Sequence, residues 1–273
     1  MKTLTYTVDE RVARITLNRP ERGNGITLET PRELAECVEQ ANLDPAVHVI
    51  ALAGAGKGFC GGYDLVEFAE REMPNHDPSQ PWDPVLDWQM MSRNLRGFMS
   101  LFHSDKPVVC KVHGFCVAGG TDMALCSDLL VIADDARIGY PPARVWGVPT
   151  SALWAFRVGD QRAKRLLFTG DLIDGATALE WGLAVEAPPA AELDERFEAL
   201  LERIALTPVN QLVMMKLLVN LALYSQGLHA TQALGVFFDG IARHTPEGYA
   251  FARRAAQAGF KEAVRERDEP YER

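Results

Sequence analysis

Apolar and polar residues alternate over residues 4–8 and 12–17, on either side of Asp9-Glu10-Arg11. A side-chain period of two predicts a two-stranded hairpin. Residues 18–25 then loosen into turn formers, and the period becomes helical at Thr30. There Thr30 is expected to cap a helix, Pro31 to fill its first position and Glu33 to close a capping box. Leu34, Cys37, Val38 and Ala41 form its buried stripe as far as about Asn42. Residues 48–54 (HVIALAG) read as an interior strand, followed by a glycine-rich loop over 54–65. Residues 72–84 carry four prolines and are expected to lack regular structure. A helix follows, because Trp88, Met91, Leu95, Phe98 and Phe102 recur at helical spacing.

Residues 108–128 (VVCKVHGFCVAGGTDMALCSD) hold the least ordinary pattern: strand, turn, helix, with a carboxylate inside an apolar run. Val108, Val109 and Val112 suit a buried strand that His113-Gly114 ends, and Gly119-Gly120 opens a helix carrying Met123, Ala124 and Cys126. Residues 129–134 predict another buried strand and 139–149 an irregular loop. Beyond 150 the pattern is helical, apart from a short strand expected at 183–187. Thr207-Pro208 and Thr245-Pro246 each announce a helix. The first of these, 208–224, is apolar all round and must be covered on more than one side, so an oligomer is expected.

Composition narrows the field. The 273 residues are 47% hydrophobic, enough for a sizeable core, and the formal charge of −9 argues against nucleic acid or an anionic membrane as partner. Five cysteines without a CxxC pair lie mostly in apolar runs, which predicts free thiols in a reducing compartment. The N-terminus alternates like a strand and lacks the pattern of a secretory signal, and no segment is long and apolar enough to span a bilayer. The expectation is a cytoplasmic protein.

No HExxH, clustered Cys/His set, P-loop or GxSxG elbow is present, so no metal site is expected. Gly56, Gly58 and Gly61 fit G-x-G-x-x-G, but no strand ending in an acid follows about 20 residues on, which counts against dinucleotide binding. His113 precedes a turn glycine and reads as a turn or core residue. What remains is two glycine-rich turns, each after an apolar strand, and Asp122 beside the second. A helix opened by Gly-Gly exposes uncrowded N–H groups to an anionic oxygen. The same pair equally serves close helix–strand packing, with Asp122 complementing the helix dipole.

In order along the chain, VARITLNRPERGNGITLETPREL, KGFCGGYDL, KPVVCKVHGFCVAGGTDMALCSDLLVIADDARIG, TGDLIDGATALEWGLAVE and TPEGYAF resemble the crotonase (enoyl-CoA hydratase/isomerase) superfamily over nearly the entire chain. The resemblance implies an α/β fold: a crotonase-like ββα spiral core over 1–205 and a C-terminal helical trimerisation region over 206–273. It implies an acyl-CoA thioester as substrate, with coenzyme A as part of that substrate and no other cofactor, and a homotrimer or dimer of trimers. The backbone N–H groups of Tyr63 and Gly119 correspond to the two donors that stabilise a thioester enolate, each such donor being worth about 10²–10³ in rate. Gly61, Gly62, Asp64 and Leu65 fall in the same turn as substrate-contacting residues.

Family hydratases use two glutamates. The first corresponds to Asp122, whose side chain is shorter by roughly 1.5 Å of reach. The second falls on Pro142 or Ala143, which cannot move a proton, and the neighbouring Arg144 cannot replace a base. The standard two-glutamate site is therefore expected not to be intact. The expected activity is of the hydratase/isomerase type, the alternatives being an isomerase or other reaction using one carboxylate, or a non-catalytic acyl-CoA-binding protein. Arg22 and Lys57 are expected to supply positive charge to the coenzyme A phosphates. Trp88, Met91, Pro141 and Trp146 are expected to wall the acyl pocket.

Overall fold

The computed structural model describes residues 1–70, 76–77 and 79–272; residues 72–75 and 78 of the proline-rich segment thus lie outside the described residues. Strands β1 (Leu4–Asp9) and β2 (Val12–Leu17) pair antiparallel, with Leu4 opposite Leu17. Helix α1 (Thr30–Leu43) leads to β3 (Val49–Gly54), parallel to β2. Its predicted capping box does not form. Thr30 Oγ1 instead accepts from Thr27 N at 3.1 Å, and the Glu33 carboxylate turns to Lys2 N at 2.7 Å and to Thr3 N at 2.8 Å. Buried Glu33 finds its donors on the chain start beside β1, so it ties helix to sheet rather than closing its own first turn.

Helix α2 (Pro84–His103) precedes β4 (Val108–Val112), which lies parallel to β3. Next come β5 (Phe115–Val117), α3 (Gly119–Leu125), β6 (Leu129–Ile132) and β7 (Arg137–Gly139). Helices α4 (Trp154–Val158) and α5 (Asp160–Thr169) lead to β8 (Leu172–Asp174) and α6 (Gly175–Glu180). One sheet has the order β1-β2-β3-β4-β6 and the other β5-β7-β8. Parallel strands are covered on both faces, which is why β3 and β6 are near-continuous apolar runs and β4 departs from one only at half-buried Lys111. The strand predicted at 183–187 reduces to a single bridge between Val131 and Glu186. Three-residue β5, β7 and β8 are too short to show a period, and they escaped the sequence reading.

Helices α7 (Leu193–Ala205), α8 (Val209–Ser225), α9 (Leu228–Arg243), α10 (Pro246–Ala258) and α11 (Phe260–Asp268) complete the chain. In α10 the predicted cap forms, Thr245 Oγ1 accepting from Gly248 N at 3.1 Å. Helix α8 is inverted relative to ordinary amphipathicity. Its two mid-helix polar residues point inward: Lys216 Nζ meets the Asp128 carboxylate at 2.8 Å and Asn220 donates to Phe102 O at 2.9 Å. Met214, Met215, Leu217, Leu218, Val219 and Leu221 are each more than half exposed. Among the described residues no single helix is long and apolar enough to cross a membrane. Helices α10 and α11 return to the front of the chain, where Phe251, Ala255 and Ala263 share a small core with Ala69 and Trp146.

Candidate active site

The two glycine-rich turns meet at a cavity of about 400 Å³. The first is stitched down on both sides: Gly61 N donates to Gly23 O at 2.9 Å, Ile26 N to Gly62 O at 2.9 Å, and Val117 N to Cys60 O at 3.0 Å. Gly62 has φ +92°, and a Cβ there would lie 2.7 Å from that of Ala118 and 3.4 Å from Gly119 N. A Cβ on Gly119 would lie 2.8 Å from the Tyr63 ring. The turns approach this closely only because both positions lack a side chain. Ala118 between them adopts φ 54°, ψ −131°, a conformation costing an L residue about 1–3 kcal/mol. Strain of this kind is retained where surrounding structure imposes it, here at the lip of the cavity. Tyr63 and Gly119 both line the cavity, and among the described residues neither N–H donates to a backbone carbonyl.

Asp122 sits one turn into α3 and is completely shielded, at 1% exposure. Its Oδ1 accepts from Ser151 N at 2.9 Å and from Ser151 Oγ at 2.7 Å. Gln232 on α9 holds Ser151 in turn, donating to its carbonyl at 3.1 Å. Burial raises the Asp122 carboxyl to about 7 against the lowering by Ser151, and the nearby Asp239 adds to the rise. A proton on such a group can be both gained and lost at neutral pH.

A polar network forms another part of the same wall. Asp239 Oδ1 accepts from Val148 N at 3.2 Å, its Oδ2 lies 3.3 Å from Arg243 Nε, and Arg243 Nη1 lies 3.4 Å from Asp87 Oδ1. Trp82 Nε1 donates to Asp87 Oδ2 at 2.5 Å and stacks on His244 with centroids 4.6 Å apart. Burial raises the Asp239 carboxyl, with Arg243 opposing, and burial lowers the His76 imidazole, whose Nε2 is 3.0 Å from Arg243 O. These groups escaped the sequence reading. The one available signal was an aspartate and an arginine four apart, Asp239 and Arg243, in an otherwise apolar stretch. The remaining wall is apolar: Leu65, Phe68, Met90 and Met91 on one side, and Phe251, Phe260 and Val264 from α10 and α11 on another.

Of the residues singled out from sequence, Gly61, Tyr63, Leu65, Met91, Gly119, Asp122, Pro141 and Trp146 line the cavity. Trp88 does not. It is 44% exposed, because Asp87, Met90 and Met91 occupy the cavity-facing side of α2 and position 88 lies about 100° round from Asp87. Gly62 and Asp64 stand behind the lining residues. Buried Asp64 pairs with Arg19 at 2.9 Å and with Arg22 at 2.7 Å, and these ion pairs outweigh its desolvation and hold its carboxyl below the usual range. Arg22 is thus already engaged, and Lys57 is exposed away from the lining. Pro142 lines the cavity, whereas Arg144 is pinned by Thr169 O at 2.9 Å and Asp268 at 2.8 Å. His113 is outside the lining, its Nε2 2.9 Å from Gly56 O. Among the described residues no group of three or more His, Cys, Asp or Glu is placed to hold a metal ion.

Residues 7–244 match the family model described as enoyl-CoA hydratase/isomerase. The fold superposes on a crystal structure of an enoyl-CoA hydratase from Mycobacterium smegmatis with TM-score 0.95 and 61% identity, over 99% of this chain and 94% of that one. The chain is 30% identical to 1,2-epoxyphenylacetyl-CoA isomerase of Escherichia coli, over 81% of this chain and 83% of the relative. It is also 30% identical to carnitinyl-CoA dehydratase of Proteus mirabilis, over 75% of each chain. With two glycine turns converging on a shielded carboxyl and these likenesses along the whole fold, the chain belongs to the enoyl-CoA hydratase/isomerase family, the crotonase superfamily.

Proposed function

We propose that this acyl-CoA-processing enzyme moves one proton on an enoyl thioester with a single carboxyl group, Asp122. The thioester oxygen lies between the N–H groups of Tyr63 and Gly119. Asp122 takes a proton from the α-carbon, the C–H electron pair passes into the thioester carbonyl to give a dienolate, and the two N–H dipoles stabilise its oxyanion. The same carboxyl returns the proton at the γ-carbon, so the double bond shifts from the 3- to the 2-position and no other atom is gained or lost. The observation that carries this reading is the Asp122 carboxyl, buried in the cavity wall and raised to about 7. Addition of water needs a second group to activate it. The family's second glutamate is expected at Pro142 or Ala143, of which Pro142 lines the cavity, and neither side chain can move a proton, which supports a one-base reaction over hydration.

Exposed Lys57, and Arg22 with Arg19 against the single charge of Asp64, supply positive charge towards the coenzyme A phosphates, and no further cofactor takes part. The exposed apolar face of α8 supports assembly into trimers or dimers of trimers. The five buried free thiols support a reducing, cytoplasmic setting. The test is turnover of a 3-enoyl-CoA in D₂O followed by NMR. The expected product is the 2-enoyl thioester, with exchange confined to the carbons that Asp122 reaches. A hydroxyacyl product as the main species, or Asp122→Asn turning over at the wild-type rate, would sink the proposal.

A further inference from the structure

The acyl wall contains more polarity than a hydrocarbon ligand requires. Asp239 and Asp87 are buried and Arg243 is partly buried beside Phe251, Met90 and Met91, and charged groups in such a setting are often no more stabilising than well-packed apolar ones. The network is also incompletely matched. Arg243 holds its carboxylates at 3.3 and 3.4 Å, whereas Arg14 and Arg254 reach theirs at 2.7 and 2.6 Å. Charge-assisted hydrogen bonds ordinarily settle near 2.7–2.9 Å.

Among the described residues six buried side-chain polar atoms lack a partner, and Arg243 Nη2, Trp146 Nε1 and Thr150 Oγ1 all belong to residues of this one cavity wall. Such atoms are rare in folded proteins and call for a partner. Two of the three are obligate N–H donors, which need an acceptor oxygen, while Asp239 offers an acceptor to a hydroxyl proton.

We propose that Arg243, with Trp146, Thr150 and Asp239, recognises an oxygen function on the acyl group, a hydroxyl or carbonyl carried beyond the thioester and its neighbouring carbons. The inference rests on the acyl-CoA reading of the same cavity and adds the substrate class to it. The three atoms lie just beneath the cavity surface, so the loosely paired guanidinium and its neighbours shift to meet the ligand oxygen. Arg243 and Trp146 are specificity-determining groups, distinct in role from Asp122.

Calorimetry with matched thioesters tests this: octanoyl-CoA against hydroxyoctanoyl-CoA isomers carrying the hydroxyl from the fourth carbon outward. At least one isomer is expected to bind the wild-type protein about tenfold or more tighter than octanoyl-CoA, as a hydrogen bond to a charged group allows. Arg243→Met brings that ratio to about one. Asp122→Asn keeps the ratio while losing turnover. Should Arg243→Met not fold, Thr150→Val and the wild-type ratio still decide. Equal binding of all the thioesters by wild type overturns this inference alone. Binding of none overturns the acyl-CoA reading and the inference with it.

Discussion

Replacing Asp122 by Asn separates what the carboxyl does for chemistry from what it does to the fold. The folded protein holds this group at about 7, against an ordinary value of 3.8. A difference of about three units at 1.36 kcal/mol each is about 4 kcal/mol. The sign follows from the direction of the shift. A raised carboxyl favours the folded state while protonated, so its contribution is complete below about pH 4 and is lost as pH rises through 7. Asn has no charge to bury, and both Ser151 donors land on Oδ1, the oxygen that Asn retains. Asp122→Asn is therefore expected to match the wild type at about pH 4 and to be more stable by up to about 4 kcal/mol at about pH 8. Turnover falls by about 10²–10⁴, the usual contribution of a positioned acid/base. Denaturant unfolding of both proteins at several pH values reads the gap directly. A gap that stays constant with pH, or that disfavours the variant at about pH 8, would refute the argument that desolvation of this carboxylate raises its pKa.

Other substitutions test the neighbouring parts. Gly62→Ala forces a side chain into φ +92° and against Ala118, which displaces the Tyr63 N–H; kcat is expected to fall by about 10²–10³ in a steady-state assay, with the protein still folded by circular dichroism. Asp239→Asn removes a negative charge that raises Asp122, so the acidic limb of the kcat/KM profile should move to lower pH; an unmoved limb would mean that the two carboxyls do not communicate. Leu218→Glu with Leu221→Glu places charges on the exposed face of α8, and under the proposed assembly through that face sedimentation should show smaller species than for the wild type.

Local rules were enough for several elements. The β1–β2 hairpin, α1 and α2 follow from periods of two and 3.6, because each has one buried face and enough residues to display it, while β3, β4, β6 and α3 follow from short apolar runs bounded by turn residues. The two glycine turns were legible because only glycine admits so close an approach of two backbones, and Asp122 was legible as a carboxylate in an apolar run. Trp88 misled for a local reason. Its apolar bulk fits the stripe, yet its phase on α2 turns it to solvent.

What the sequence by itself determined was therefore the core elements, the two turns and the carboxyl beside them. Only the tertiary structure decided what surrounds that carboxyl. Asp87, Asp239 and Arg243 lie on α2 and α9, more than 130 positions apart at their extremes, and nothing local in either helix announces that they share a wall. Short β5, β7 and β8 acquire strand geometry from pairing with one another, across more than 50 residues of chain. The pKa of Asp122 is decided in the same way. Its identity is set at one position of the chain, but its value near 7 comes from burial first, with Asp239 adding to the rise and Ser151 opposing it. Desolvation and Coulomb interactions act through space, and sequence order does not record them.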